Sequence, residues 1–260
     1  KFTRDSNCMN CHGGTFVRGI PGVFARSVFT DEEGEPLLRF GSEVVDFRTP
    51  FTNRWAGWYV TGRHGTALHR GNVFARDAND QLVVNPKLGA NITNLSDFFG
   101  TKSYLTRGSD IVALLVFEHQ TAMQNTLTRA SMDCRRMLAY QKNLQLDLKE
   151  PVTDELTYDS VKSVFESSVR NIVNDLLFKD EAQLPDGLEG SAAFQSAFRA
   201  DEGRAGDGSS LKEFHLKGHL FRNRCSYLIY SQCFLSSPEL LKQRVYDLLV
   251  HALAQTNPDR

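Results

Sequence analysis

From residue 109 onward, apolar side chains recur at three- and four-residue steps. Val112, Leu115, Val116, His119, Met123, Leu127, Ala130, Cys134, Met137 and Leu138 fall on one stripe, the period of an α-helix that buries one face. A stripe of this length predicts a helix of many turns, and such a helix needs apolar partners. The sequence beyond it supplies them. After Pro151, residues Val161, Phe165, Ile172, Val173 and Leu176 form a second stripe. Ser191 to Phe198 reads as a short helix, and Ser210 with Glu213 reads as a capping-box start for another. Ser237-Pro238 opens a last helix, which Asn257-Pro258 closes. Between these, Asp201 to Ser209 holds three glycines and reads as a flexible loop.

The first hundred residues follow a different rule. Val23 to Arg26 leads through the acidic turn Asp31 to Gly34 to Leu37–Phe40, which predicts a β-hairpin. A second hairpin is expected from Val73–Arg76, the turn Asp77 to Asp80 and the strand Gln81 to Val84. The fold class expected is therefore mainly α, with a loop- and hairpin-rich N-terminal part (1–105) and a helical part (106–260). The two parts are expected to pack as one compact unit.

The segment with the clearest chemistry is Cys8-Met9-Asn10-Cys11-His12. Two cysteines two residues apart, with histidine next, form the attachment pattern for haem c. Both thiols can add to the vinyl groups of one haem, and the imidazole is then held under the ring. A redox pair would normally sit where a strand meets a helix, and nothing around residue 8 reads that way. A structural zinc site would need four ligands, of which this pair is half. Through these five residues the chain resembles c-type cytochromes. The resemblance implies one covalent haem c anchored by Cys8 and Cys11, with His12 on the iron.

The sixth iron position decides between chemistries: a filled site carries electrons, an open one admits peroxide or a gas. Small c-type cytochromes usually supply a methionine from a loop, but none lies between Met9 and Met123. Histidine is the expected ligand instead. Residues Phe47 to Asn72 hold both tryptophans (Trp55, Trp58), Tyr59, His64, His69 and four glycines. Aromatic rings beside glycines suit a flat apolar ligand, so this segment is read as pocket wall. His64 is the first candidate for the distal ligand, His69 the second and His119, on the helical stripe, the third. Arg63 and Arg70 flank the histidine pair and could neutralise haem propionates. His215, His219 and His251 read as solvated helix positions. A looser similarity runs to bacterial di-haem peroxidases, through Arg48-Thr49-Pro50 and Trp58 to Arg63. The second CxxCH of those enzymes is missing here.

Charge adds an exclusion. The formal net charge is −1, which leaves no footprint for nucleic acid. No apolar run approaches the roughly eighteen residues of a membrane span. Haem attachment normally happens outside the bacterial cytoplasm, so a periplasmic or extracellular protein is expected, its export signal removed or lying upstream of Lys1. There Cys225 and Cys233 could bridge, while Cys134 reads as a buried thiol. The function expected is one-electron transfer by a mono-haem c-type cytochrome, to a redox partner or a neighbouring haem subunit, with assembly through the helical half. The alternative is a mono-haem peroxidase or gas-binding protein with an open distal site.

Overall fold

The computed structural model describes residues 7–200 and 205–255. In chain order its first elements are α1 (Cys8–His12), β1 (Ala25–Ser27), β2 (Glu43–Val45), β3 (Arg63–His64), β4 (Arg76–Ala78) and β5 (Gln81–Val83). Then come α2 (Ile111–Asp147), α3 (Asp159–Leu176), β6 (Leu188–Glu189), α4 (Ala192–Ala200), β7 (Phe214–Lys217), β8 (His219–Phe221), α5 (Gln232–Leu235) and α6 (Glu239–Gln255). The chain sorts into two compact units, each discontinuous in sequence. The first takes the residues up to Gly22, Met123–Lys179 and those from Cys225 on; the second takes Val23–Ala122 and Asp180–Arg224.

The first unit is helical. Met123, Leu127, Ala130 and Cys134 continue the stripe of α2 and are buried. On α3 the buried residues are Val161, Phe165, Val169, Ile172, Val173 and Leu176, at helical spacing. Helix α6 packs on α3 and buries Leu241, Val245 and Leu249. Each such side chain contributes about 1.5–3 kcal/mol. Two glutamines of α2, Gln141 and Gln145, are also buried, because they serve the loop after the helix. Gln141 accepts from Thr157 N at 2.8 Å and donates to the Glu155 carbonyl at 2.8 Å. Gln145 donates to Thr157 Oγ1 at 3.3 Å.

The second unit holds four antiparallel two-stranded pairs among the described residues: β1–β2, β3–β6, β4–β5 and β7–β8. Ladders this short leave loop backbone groups to find partners in other loops, such as Gly62 N on the Ile92 carbonyl at 2.8 Å, or in side chains. Asn72 does most in this respect. Its Oδ1 accepts from Val60 N at 2.7 Å, and its Nδ2 donates to the carbonyls of Val60 at 2.7 Å and Gly89 at 3.0 Å. Its backbone lies in the left-handed region, φ 62°, which asparagine tolerates better than most residues. Asn72→Ala should lower stability by about 2–3 kcal/mol, since it strands buried backbone groups. Urea unfolding followed by circular dichroism measures this; an unchanged midpoint would contradict it.

Several expectations are corrected. The chain is not mainly α: helices and 3-10 turns together cover fewer than half of the residues. The first hundred or so residues are mostly loops and short strands, and six α-helices, mainly C-terminal, occur among the described residues. The capping-box signal at Ser210 does not start a helix. Its hydrogen bond from Ser210 N to Glu213 Oε1 forms at 3.2 Å, but the chain then enters β7. Phe214 stacks on Phe221 across the β7–β8 pair, centroids 5.4 Å apart, and Gly218, at φ 74°, makes the turn. Phe214 also packs on Phe194 and Phe198, and such a ring cluster, at about 0.5–1.5 kcal/mol per pair, outweighs a cap contact of about 1 kcal/mol. The first hairpin also returns differently. Thr30 bridges Pro36, but β1 pairs with Glu43–Val45, while Leu38–Phe40 is a 3-10 turn. The second hairpin forms as expected, β4 with β5, around Asn79 and Asp80, both at positive φ.

The short helix after Ser191 is α4, with Ser191 Oγ accepting from Phe194 N at 3.2 Å. Pro238 precedes α6 and its carbonyl accepts from Lys242 N at 3.1 Å. Asn257-Pro258 and the start of the 201–209 loop lie outside the described residues. Among the described residues no helix is long and apolar enough to cross a membrane.

Candidate haem-attachment segment and histidine cluster

In the first unit, α1 is a single helical turn built from the motif itself. Cys8 and Cys11 stand three residues apart, so their thiols leave one face of the turn. Cys8 is exposed, Cys11 is partly exposed, and both are free thiols. Gly13 follows, and the chain loops through Pro21 back to the histidine. His12 Nδ1 lies 3.0 Å from the Gly22 carbonyl oxygen. A carbonyl only accepts, so Nδ1 carries a proton, and in the neutral ring Nε2 is the nitrogen that would bind a metal. Gly22 is required by close approach: a Cβ there would meet the Asn125 side chain and, at 3.1 Å, Val17.

The second unit gathers His64, His69, Phe51 and Trp55. The two imidazoles are 4.6 Å apart, centroid to centroid, and Phe51 contacts both, at 5.6 and 5.8 Å. Trp55 stands edge-on to His69 at 5.2 Å. The two candidate histidines lie side by side, both rings buried. Their hydrogen bonds are structural. His64 Nδ1 donates to the Ala67 carbonyl at 2.7 Å and its Nε2 accepts from Asn91 N at 2.8 Å. His69 Nδ1 accepts from Gly71 N at 2.9 Å, which places its proton on Nε2. Gly71 admits no side chain, since a Cβ would lie 2.7 Å from Val60 Cγ2. Iron binding by either ring would require these bonds to be exchanged.

Burial holds His69 down to about 3, with the neighbouring His64 adding to the effect. His119, buried against Phe47 and Phe221, is likewise lowered to about 3 by burial and by Arg48. His64 is lowered too, mainly by burial. For a histidine with a depressed pKa the unfolded chain binds the proton first. The neutral rings therefore contribute stability above the ordinary 6.5 that is lost as pH falls towards about 3. The urea midpoint should decline on acidification through that window. A midpoint that rises would contradict this placement.

The remaining sequence candidates separate. Trp55 is core. Trp58 is half-buried and donates Nε1–H to the Arg26 carbonyl at 2.7 Å. Tyr59 packs on Phe99 at 4.8 Å. Arg63 is exposed, 3.9 Å from the equally exposed Glu189, a pair worth little. Arg70 donates to Asn53 Oδ1 at 2.8 Å. Cys225 and Cys233 are not bridged; Cys134 is buried, and burial pushes its thiol up to about 11.

Sequence reasoning missed the centre of the second unit. Arg54 and Glu118, each 1 % exposed, pair at 2.5 Å, and Arg54 also donates to the Thr49 and Phe47 carbonyls at 2.8 and 3.1 Å. The signal available was Glu118 itself, three residues after Leu115 on the buried side of α2. Also missed was a His-x3-His pair, His215 and His219, which lies on the β7–β8 hairpin with rings stacked at 4.3 Å. Among the described residues no group of three or more histidine, cysteine or acidic side chains is arranged to hold a metal ion.

Comparison with family models, with curated proteins and with solved structures finds no match.

Proposed function

We propose that this chain is a mono-haem c-type cytochrome that works outside the cytoplasm and passes single electrons to a redox partner protein or a neighbouring haem subunit. The observation that carries the reading is the hydrogen bond from His12 Nδ1 to the Gly22 carbonyl at 3.0 Å, one helical turn from two free thiols. Haem bound there supplies an iron that cycles by one electron. The chain's own residues do the rest. Cys8 and Cys11 each offer a reachable sulfur. The Gly22 carbonyl orients the His12 ring, which would hold the iron of a bound haem through Nε2.

A specific observation favours a second reading, a peroxidase or gas-binding haem protein. The lone pairs of His64 Nε2 and His69 Nδ1 accept from the Asn91 and Gly71 amides, so neither ring offers an unoccupied lone pair as folded. Carbon monoxide added to the reduced protein separates the two. An unchanged low-spin spectrum is the result expected for an electron carrier. A shift on adding the gas would mean an open distal position and the second reading.

A further inference from the structure

Within the second unit a cavity of about 590 Å³ lies between the Gly57–Tyr59 turn and residues 95–109. That size falls in the range of small-molecule sites, roughly 300–1,000 Å³. Four aromatic side chains line it, Trp58, Tyr59, Phe99 and Tyr104, with Leu95 beside them. Tyr59 and Phe99 are 4.8 Å apart, and Phe99 and Tyr104 5.6 Å. Neither pair is parallel, at interplanar angles of 52° and 66°, so the rings offer both faces and edges. The site is preformed. The Trp58 indole is tied to the Arg26 carbonyl, and the end of the 95–109 segment is fixed by Thr61 N donating to the Ser109 carbonyl at 2.6 Å.

One formal charge lines the cavity, Arg107, and no carboxylate does. Arg107 has no ion-pair partner among the described residues. An exposed arginine lining a cavity with aromatic walls suits a planar ligand with an anionic group, because the guanidinium fork matches a carboxylate in two bonds. An aliphatic acid would satisfy the charge but not the ring walls; a neutral aromatic would do the reverse. We propose that this cavity binds a planar aromatic carboxylate, with its rings against Trp58, Tyr59 and Phe99 and its carboxylate on Arg107. The proposal is independent of the haem reading.

The test is calorimetric titration of the full chain, as purified, with 2-naphthoate, 2-naphthalenemethanol and octanoate. Naphthoate should bind more tightly than either comparator. Arg107→Gln should weaken naphthoate by about tenfold or more, the loss of one charge-assisted interaction, and leave 2-naphthalenemethanol unchanged. Tyr104→Ala should weaken both aromatic probes. Thermal unfolding of each variant checks that the fold is retained; Arg107 is exposed, so its variant should match the parent. Three results would overturn the proposal: no saturable heat with millimolar naphthoate, full affinity in Arg107→Gln, or octanoate binding as tightly as naphthoate. A failed titration on haem-loaded protein would leave the cytochrome reading standing, and the converse holds equally.

Discussion

Glu118→Ala is expected to lower the unfolding free energy by about 3–5 kcal/mol, a large share of the roughly 5–15 kcal/mol that holds a domain folded. The carboxylate meets Arg54 at 2.5 Å in a fully buried setting. Removing it strands a guanidinium whose remaining partners are two backbone carbonyls. Glu118→Gln keeps an acceptor and should cost less. The pair also carries a pH signature. Burial pushes the Glu118 carboxyl up to about 7, against the pull of the Arg54 charge and the Trp55 indole. A raised carboxyl pKa means the native state holds its proton more tightly than the unfolded chain. Its contribution is present in full below the ordinary 4.5 and lost as pH rises through about 7. This opposes the buried histidines, so Glu118→Gln should steepen the loss of stability on acidification. Urea midpoints at about pH 5 and about pH 8 measure it; identical slopes for parent and variant would contradict the shift.

Replacing both Cys8 and Cys11 by serine is expected to abolish covalent haem entirely, because a hydroxyl does not form the thioether that a thiol forms with a vinyl group. The fold should survive: α1 buries no residue, and the helical core of the first unit lies on α2, α3 and α6. Haem staining of a denaturing gel reads the first effect and circular dichroism the second. His12→Ala is the informative partner. It should retain haem through the two sulfurs while losing the low-spin spectrum. A His12→Ala protein spectrally identical to its parent would remove His12 as iron ligand.

The long helix, the second stripe and the β4–β5 hairpin were legible because each rests on local periodicity or on a turn dipeptide. What was not legible was set by contacts distant in sequence. Ser210 and Glu213 carry a helix signal, yet Phe221, seven residues beyond Phe214, draws the chain into a hairpin. The return strand of the first hairpin shifted from Leu37–Phe40 to Glu43–Val45, a displacement that residue preferences do not encode. In the site, the 4.6 Å between the His64 and His69 rings comes from the fold; the sequence singled them out as separate ligand candidates. It could not say that backbone amides at Gly71 and Asn91 occupy their lone pairs. Nor could it show that Gly22, ten residues past the motif, supplies the carbonyl for His12. Arg54 and Glu118 stand 64 residues apart, and only the fold reveals them as a pair.

The central claim is that this chain carries one covalent haem. Intact-mass measurement of protein matured in a bacterial host with haem-attachment machinery tests it most directly. The expected result is the polypeptide mass plus one haem, retained after denaturation and acid-acetone extraction. A chain at the bare polypeptide mass, with both thiols of Cys8 and Cys11 still open to alkylation, would contradict it.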